Sequence, residues 1–298
     1  MRLCLNDAGL GAPYRDIKIE HLQFIYDIGF RLAGMHPDPD ATDDDIAYVK
    51  DLFAQVGLEM GPIGVSLSAI RPDKNEEREH IKGIAKFLKI GGKLGCTSLR
   101  YSVGSMHPTD IWMHHPENHT QKALDILIEN TRELVPIAED AGCMLCPEET
   151  QWTIVASIER MKEFVDRIDS PYLRICFDPV NHMTSDRVYE SGRYIRCVVS
   201  TLGDRIGVFH VKDVMVQDKR LVCHIDETPL GTGVLDHEAI IRASTQLEPW
   251  KTFSLEHFSS RDLWKPAYDY IQDVADRIGH VWTDPKCTRG RWESGKCK

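Results

Sequence analysis

Four positions between residues 148 and 256 put cation-binding residue types at the ends of short apolar runs. They are Glu148 in Cys146-Pro147-Glu148-Glu149, Asp178 in Cys176-Phe177-Asp178-Pro179, His210 in Phe209-His210-Val211-Lys212 and Glu256 in Leu255-Glu256-His257. Their spacing is of the order of one strand–helix unit, roughly 30 residues. Side chains two apart in a strand share a face, so the layer beneath these four consists of Cys146, Cys176, Val208 and Ser254, all small or apolar. A charge above such a layer is costly to desolvate unless it is paired or coordinated. Three carboxylates around one imidazole repel each other, and a divalent cation is the simplest resolution; the bland alternative is a solvated rim. One acid at a strand end means nothing alone, whereas four in succession favour a metal. Oxygen-rich donors with one nitrogen suit a single Mn²⁺, Mg²⁺, Co²⁺ or Zn²⁺.

Other candidates surround these four. Lys212 shares a face with His210 and reads either as a cationic contact to substrate or as a rim lysine whose stem covers apolar surface. Asp213 reads either as a residue that orients His210 or as a solvent-facing turn acid. His257 points away from Glu256 and is a weaker candidate for substrate contact. Arg100 and Tyr101 end an earlier apolar run, where Arg100 matches an anionic group and a packed rim pair is the alternative. The stretch from Met106 to His119, rich in His and Trp, reads as a lid or a dimer contact. Cys143-Met-Leu-Cys146 spells C-x-x-C, but within a strand its thiols face opposite ways and make a poor redox or zinc pair.

Positioning these groups requires strands that end on one rim. Apolar runs at 3–5, 30–35, 63–68, 98–102, 144–148, 174–178, 208–212 and 252–256 alternate with helix-like stretches near 17–28, 43–56, 75–94, 121–140, 157–168, 187–202, 236–246 and 264–278. In the fourth helix Leu124, Leu127, Ile128, Thr131, Leu134 and Ala138 recur on one face, while Pro136 predicts a kink or an early end. Thr42 and Asn75, each followed by acidic residues, read as helix N-caps. Strand then helix, eight times, is the pattern of a (β/α)8 TIM barrel. A doubly wound sheet is the rival, but the first turn, Ala8-Gly9-Leu10-Gly11-Ala12-Pro13, lacks G-x-G-x-x-G spacing. The expected organisation is one barrel over residues 1–283 and a polar C-terminal extension over 284–298.

A net charge of −10 disfavours extended contact with nucleic acid. No run approaches the length of a membrane span and no secretory leader is visible, so a cytoplasmic protein is expected. Nine scattered cysteines fit reduced thiols better than a disulfide framework.

The four ligand motifs resemble the strand-end motifs of the xylose-isomerase-like TIM-barrel superfamily, which includes sugar phosphate isomerases and epimerases. Pro229-Leu-Gly-Thr-Gly-Val-Leu-Asp236 resembles its G-x-G loop, and Tyr101–Ser105 and His115–Asn118 resemble it upstream. The resemblance implies that Glu148, Asp178, His210 and Glu256 hold one metal ion, with Glu148 and Glu256 also serving as acid and base. The register relative to Ser157-Ile158-Glu159 favours Glu148 over Glu149 as the ligand. It further implies a small sugar-like substrate and assembly as a dimer or tetramer. One departure stands out: many epimerases of the family carry histidine where this chain has Asn181, followed by His182. Asn181 can bond a sugar hydroxyl but cannot shuttle a proton.

The leading expectation is therefore a metal-dependent isomerase or epimerase of a hydroxy-carbonyl compound in carbohydrate metabolism. A dehydratase of a keto-polyol would use the same metal and fold. A phosphodiester hydrolase of the barrel endonuclease type needs more strand-end histidines and a basic face. A non-catalytic metabolite-binding barrel would have no use for paired glutamates.

Overall fold

Local chemistry sets the helices. Thr42 accepts from Asp45 N while Asp45 Oδ2 accepts from Thr42 N at 2.9 Å, a reciprocal cap that starts the helix at Asp43. The next helix starts two residues earlier than expected: Asp73, not Asn75, is the cap, its Oδ1 accepting from Asn75 N at 2.8 Å and Glu76 N at 3.0 Å. A carboxylate ahead of the helix satisfies two orphan donors at once. Pro136 removes one bond inside a helix that nonetheless runs to Ala141, because Leu134 and Ala138 on either side are fully buried. The predicted early end does not occur.

A computed structural model describes residues 1–6 and 8–297. Its strands are β1 (Arg2–Leu5), β2 (Leu32–Met35), β3 (Glu59–Ser68), β4 (Ser98–Ser102), β5 (Met144–Glu148), β6 (Ile175–Phe177), β7 (Ile206–Val211), β8 (Asp213–Val216), β9 (Ile225–Thr228) and β10 (Thr252–Leu255). Its helices are α1 (Ile19–Ile28), α2 (Asp43–Val56), α3 (Lys74–Leu94), α4 (Gln121–Ala141), α5 (Ile158–Ile168), α6 (Ser191–Leu202), α7 (His237–Ser244), α8 (Trp264–Arg277) and α9 (Arg289–Glu293). Strands β1 to β7 and β10 form a closed, all-parallel barrel, a TIM barrel, with β10 joined to both β7 and β1. The remaining two strands were not anticipated: β8 and β9 make an antiparallel hairpin between β7 and α7. None of the described helices is long and apolar enough to cross a membrane.

The barrel interior carries the expected layer. Cys146, Cys176 and Val208 pack together, and Ser254 is fully buried between Cys4 and His210 in the strand register. The C-terminal segment, in contrast, does not lie loosely on the surface. It folds back across the N-terminal end of the barrel, where Thr283 N donates to Met1 O at 3.0 Å and Arg2 donates to Pro285 O at 3.2 Å. Cys287 is buried against Met144 and Trp250 and forms a disulfide with Cys297, so the cysteines are not all free thiols. Sequence spacing could not foresee that pairing, because a fold-back of the tail brings the two sulfurs together.

Candidate metal centre at the C-terminal mouth

Parallel register brings the four candidate ligands to one rim. Glu148 is the last residue of β5, Asp178 follows β6, His210 lies in β7 opposite Ser254, and Glu256 follows β10. One donor atom from each lies within 4.8 Å of all the others, and all four residues are buried. Glu149, the neighbour that also competed for this role, faces the other side of β5, where its Oε1 lies 3.0 Å from His182 Nε2. Burial raises the Glu149 carboxyl well above its ordinary value and lowers His182 to about 3, so burial disfavours charge on both partners.

Cations thread the carboxylates. His210 Nδ1 is 2.9 Å from Glu256 Oε1 and 3.3 Å from Glu148 Oε1. Lys212 Nζ, also buried, lies 2.7 Å from Asp178 Oδ2 and 3.4 Å from Glu256 Oε1. Arg100 Nε is 3.4 Å from Glu148 Oε2. Burial pushes the glutamate carboxyls up, but His210 together with Arg100 or Lys212 outweighs it. Glu148 is held below its ordinary range and Glu256 well below it. Asp178 goes the other way, since burial prevails over Lys212 and raises it. Burial also opposes charge on His210, yet Cys176 and the two glutamates hold it well above its ordinary value.

Neutral donors orient the two glutamates. Asn6 Nδ2 donates to Glu256 Oε2 at 2.8 Å, and Asn181 Nδ2 donates to Glu148 Oε1 at 3.1 Å and to Glu149 O at 3.2 Å. Among the described residues, Glu256 Oε1 and Asp178 Oδ2 remain buried acceptors outside hydrogen-bond geometry. Three carboxylates and one imidazole whose donor atoms converge within 4.8 Å, two of the oxygens held by ion pairing alone, fit a divalent cation.

The other candidates take varied places. Asp213 neither orients His210 nor faces solvent. Its Oδ1 accepts from Val214 N at 2.9 Å and Leu235 N at 3.2 Å, and its Oδ2 from Gly231 N at 3.1 Å and Gly233 N at 2.8 Å. It clamps the G-x-G loop, and a side chain at Gly233 would collide with that carboxylate and with Val214 O. His257, at φ +60, bonds Glu227 through Nδ1 at 2.9 Å and lies 3.3 Å from Lys212 Nζ. Tyr101 is buried on the opposite face of β4 from Arg100. The His-rich loop is pinned by buried Asn118, which accepts from Met106 N at 2.7 Å and donates to Trp152 O at 2.8 Å.

Two residues of the mouth escaped sequence reasoning. Asn6 directly follows β1, and the strand-end logic that picked out the acids would have found it. Glu227 arrives on the β8–β9 hairpin, with Oε1 3.4 Å from Lys212 Nζ. The loop over 217–224 carries no Gly or Pro turn signal, and nothing in the sequence indicated that the hairpin folds over the mouth.

Comparison with known proteins agrees with this architecture. Residues 22–276 match the family described as Xylose isomerase-like TIM barrel. No curated protein matches the chain. Among solved structures, D-psicose 3-epimerase with D-tagatose from Clostridium cellulolyticum H10 superposes with a TM-score of 0.70 at 15% identity, over 94% of this chain and 100% of that one. A xylose isomerase-like TIM barrel protein from Mycobacterium smegmatis in complex with magnesium gives 0.70 at 18%, over 92% and 96%. The apo 3-keto-D-glucoside 4-epimerase from E. coli gives 0.69 at 14%, over 93% and 99%. At such identities the likeness is one of fold.

Proposed function

The chain belongs to the xylose isomerase-like TIM barrel family, and from that premise we propose that it is a metal-dependent isomerase or epimerase of a small sugar or related hydroxy-carbonyl compound. The observation that carries the reading is the pair Glu148 and Glu256, both buried and ionised, in one cluster of donors only 4.8 Å across. Glu148, Asp178, His210 and Glu256 would hold the ion, of which Mn²⁺, Mg²⁺, Co²⁺ and Zn²⁺ all suit the donors. When bound, it supplies Lewis acidity that polarises a carbonyl and stabilises the charge left by proton removal.

The protein's own residues move the proton. One glutamate takes it from the carbon beside the carbonyl, and the other returns one. Asn6 fixes the Glu256 carboxylate, while Asn181 and Arg100 fix that of Glu148, so each base keeps one orientation. Lys212 holds charge balance against Asp178 and Glu256 and stands within reach of a substrate oxygen. Asn181 bonds a hydroxyl without exchanging protons. The neighbours described as sugar epimerases support this substrate class.

The test is incubation with a panel of ketoses, aldoses and keto-inositols plus Mn²⁺ in D₂O. Deuterium incorporation with an unchanged skeleton is expected. Loss of water would mark a dehydratase instead, and full activity after chelation would overturn the metal reading.

A further inference from the structure

Beside the metal cluster runs a groove of about 550 Å³, within the range of small-molecule sites. The loops after β5 and β6 and the β8–β9 hairpin build it, and its walls include Thr150, Gln151, Trp152, Asn181, Ser185 and Glu227. Two of these residues join it to the cluster: Asn181 bonds Glu148, and Glu227 stands 3.4 Å from Lys212. The groove is thus placed to take the remote end of a substrate whose reacting carbon lies between Glu148 and Glu256.

The lining specifies what that end is. Among the described residues no lysine or arginine lines the groove, and its one charged residue is Glu227. A phosphate there would meet the Glu227 carboxylate, while the nearby Lys212 is already shared among Asp178, Glu256 and Glu227. Hydroxyl and amide side chains supply donors and acceptors for a neutral, polyhydroxylated group. The indole of Trp152 is 50% exposed, although its backbone is pinned through Asn118. An aromatic face that is anchored yet open suits the apolar C–H face of a sugar ring, with the polar rim beside it. Met183, Val214 and Ile225 complete an apolar side.

We propose that the groove is a subsite for a neutral glycosyl unit, so that the substrate is a glycosylated hydroxy-carbonyl sugar and not a free monosaccharide or a sugar phosphate. The proposal rests on the function proposed above. It is tested by calorimetric binding of isomaltulose, leucrose and turanose (glucosyl-fructoses that differ in linkage), fructose and fructose 6-phosphate to the Mn²⁺-loaded protein. At least one disaccharide should bind tenfold or more tighter than fructose, and fructose 6-phosphate should gain nothing over fructose. Trp152→Ala should erase the disaccharide advantage while leaving fructose unchanged. Ser185→Trp, at an exposed wall position, should do the same by filling the groove. The proposal is overturned if no disaccharide outbinds fructose, if the phosphate binds tightest, or if both variants weaken fructose and disaccharide alike. Mn²⁺ binding and deuterium exchange on the same samples report the metal and proton-transfer reading separately, so either can fail alone.

Discussion

The two ends of the barrel both bury charge, with opposite sign and opposite treatment. At the N-terminal end the buried groups are cations matched to main-chain carbonyls. Arg2 donates to Trp250 O at 2.7 Å and Pro285 O at 3.2 Å, Lys251 to Asp204 O at 2.8 Å, and Arg174 to Leu173 O at 2.8 Å. Burial lowers Arg2 to about 10 and Lys251 to about 8, and the C-terminal strap closes over that end. At the C-terminal mouth the buried groups are mainly anions. They converge on one point, and two of their oxygens lie outside hydrogen-bond geometry among the described residues. Partners fixed by the backbone mark a plug, whereas acceptors left facing a common centre mark a site.

That contrast can be broken at either end. Glu148→Gln or Glu256→Gln should lower turnover by about 10²- to 10⁴-fold with the fold intact, read as deuterium exchange alongside circular dichroism. Asp178→Ala or His210→Ala should weaken Mn²⁺ by at least about 100-fold, beyond what loss of a supporting residue does. The same variants should lose the thermal stabilisation that Mn²⁺ confers on the parent, about 2.7 kcal/mol at a hundred times its Kd. At the opposite end Arg2→Ala should cost about 2 kcal/mol by stranding buried carbonyls, measured by denaturant unfolding. Turnover per folded molecule should not change. The Cys287→Ser/Cys297→Ser pair, which opens a loop closed over 10 residues, should cost about 2–3 kcal/mol, again with activity retained. A large loss of turnover in either N-terminal-end variant would show that the two ends are coupled and the contrast false.

Legibility followed locality. Each member of the cluster was readable as a candidate because a strand end and its layer residue sit two positions apart, as with His210 above Val208. Asn6 obeyed the same rule and was overlooked because it carries no charge. Glu227 was unreadable, since its role depends on the hairpin folding toward Lys212 and His257. Asp213 read in sequence either as a residue that orients His210 or as a solvent-facing turn acid. It is instead a clamp, because its four donors come from its own neighbour Val214 and a loop 18 to 22 residues onward.

By itself the sequence determined the alternation of strand and helix, the closure class, and a set of candidate ligands at the strand ends of one rim. These depend on periodicities of two and 3.6 residues that are written along the chain. Tertiary structure decided which glutamate joins the cluster, how cations balance it, that the tail seals the far end through Cys287 and Cys297, and that the hairpin walls the mouth. Those features join residues distant in sequence, and barrel closure and loop direction, which no local pattern encodes, set their geometry.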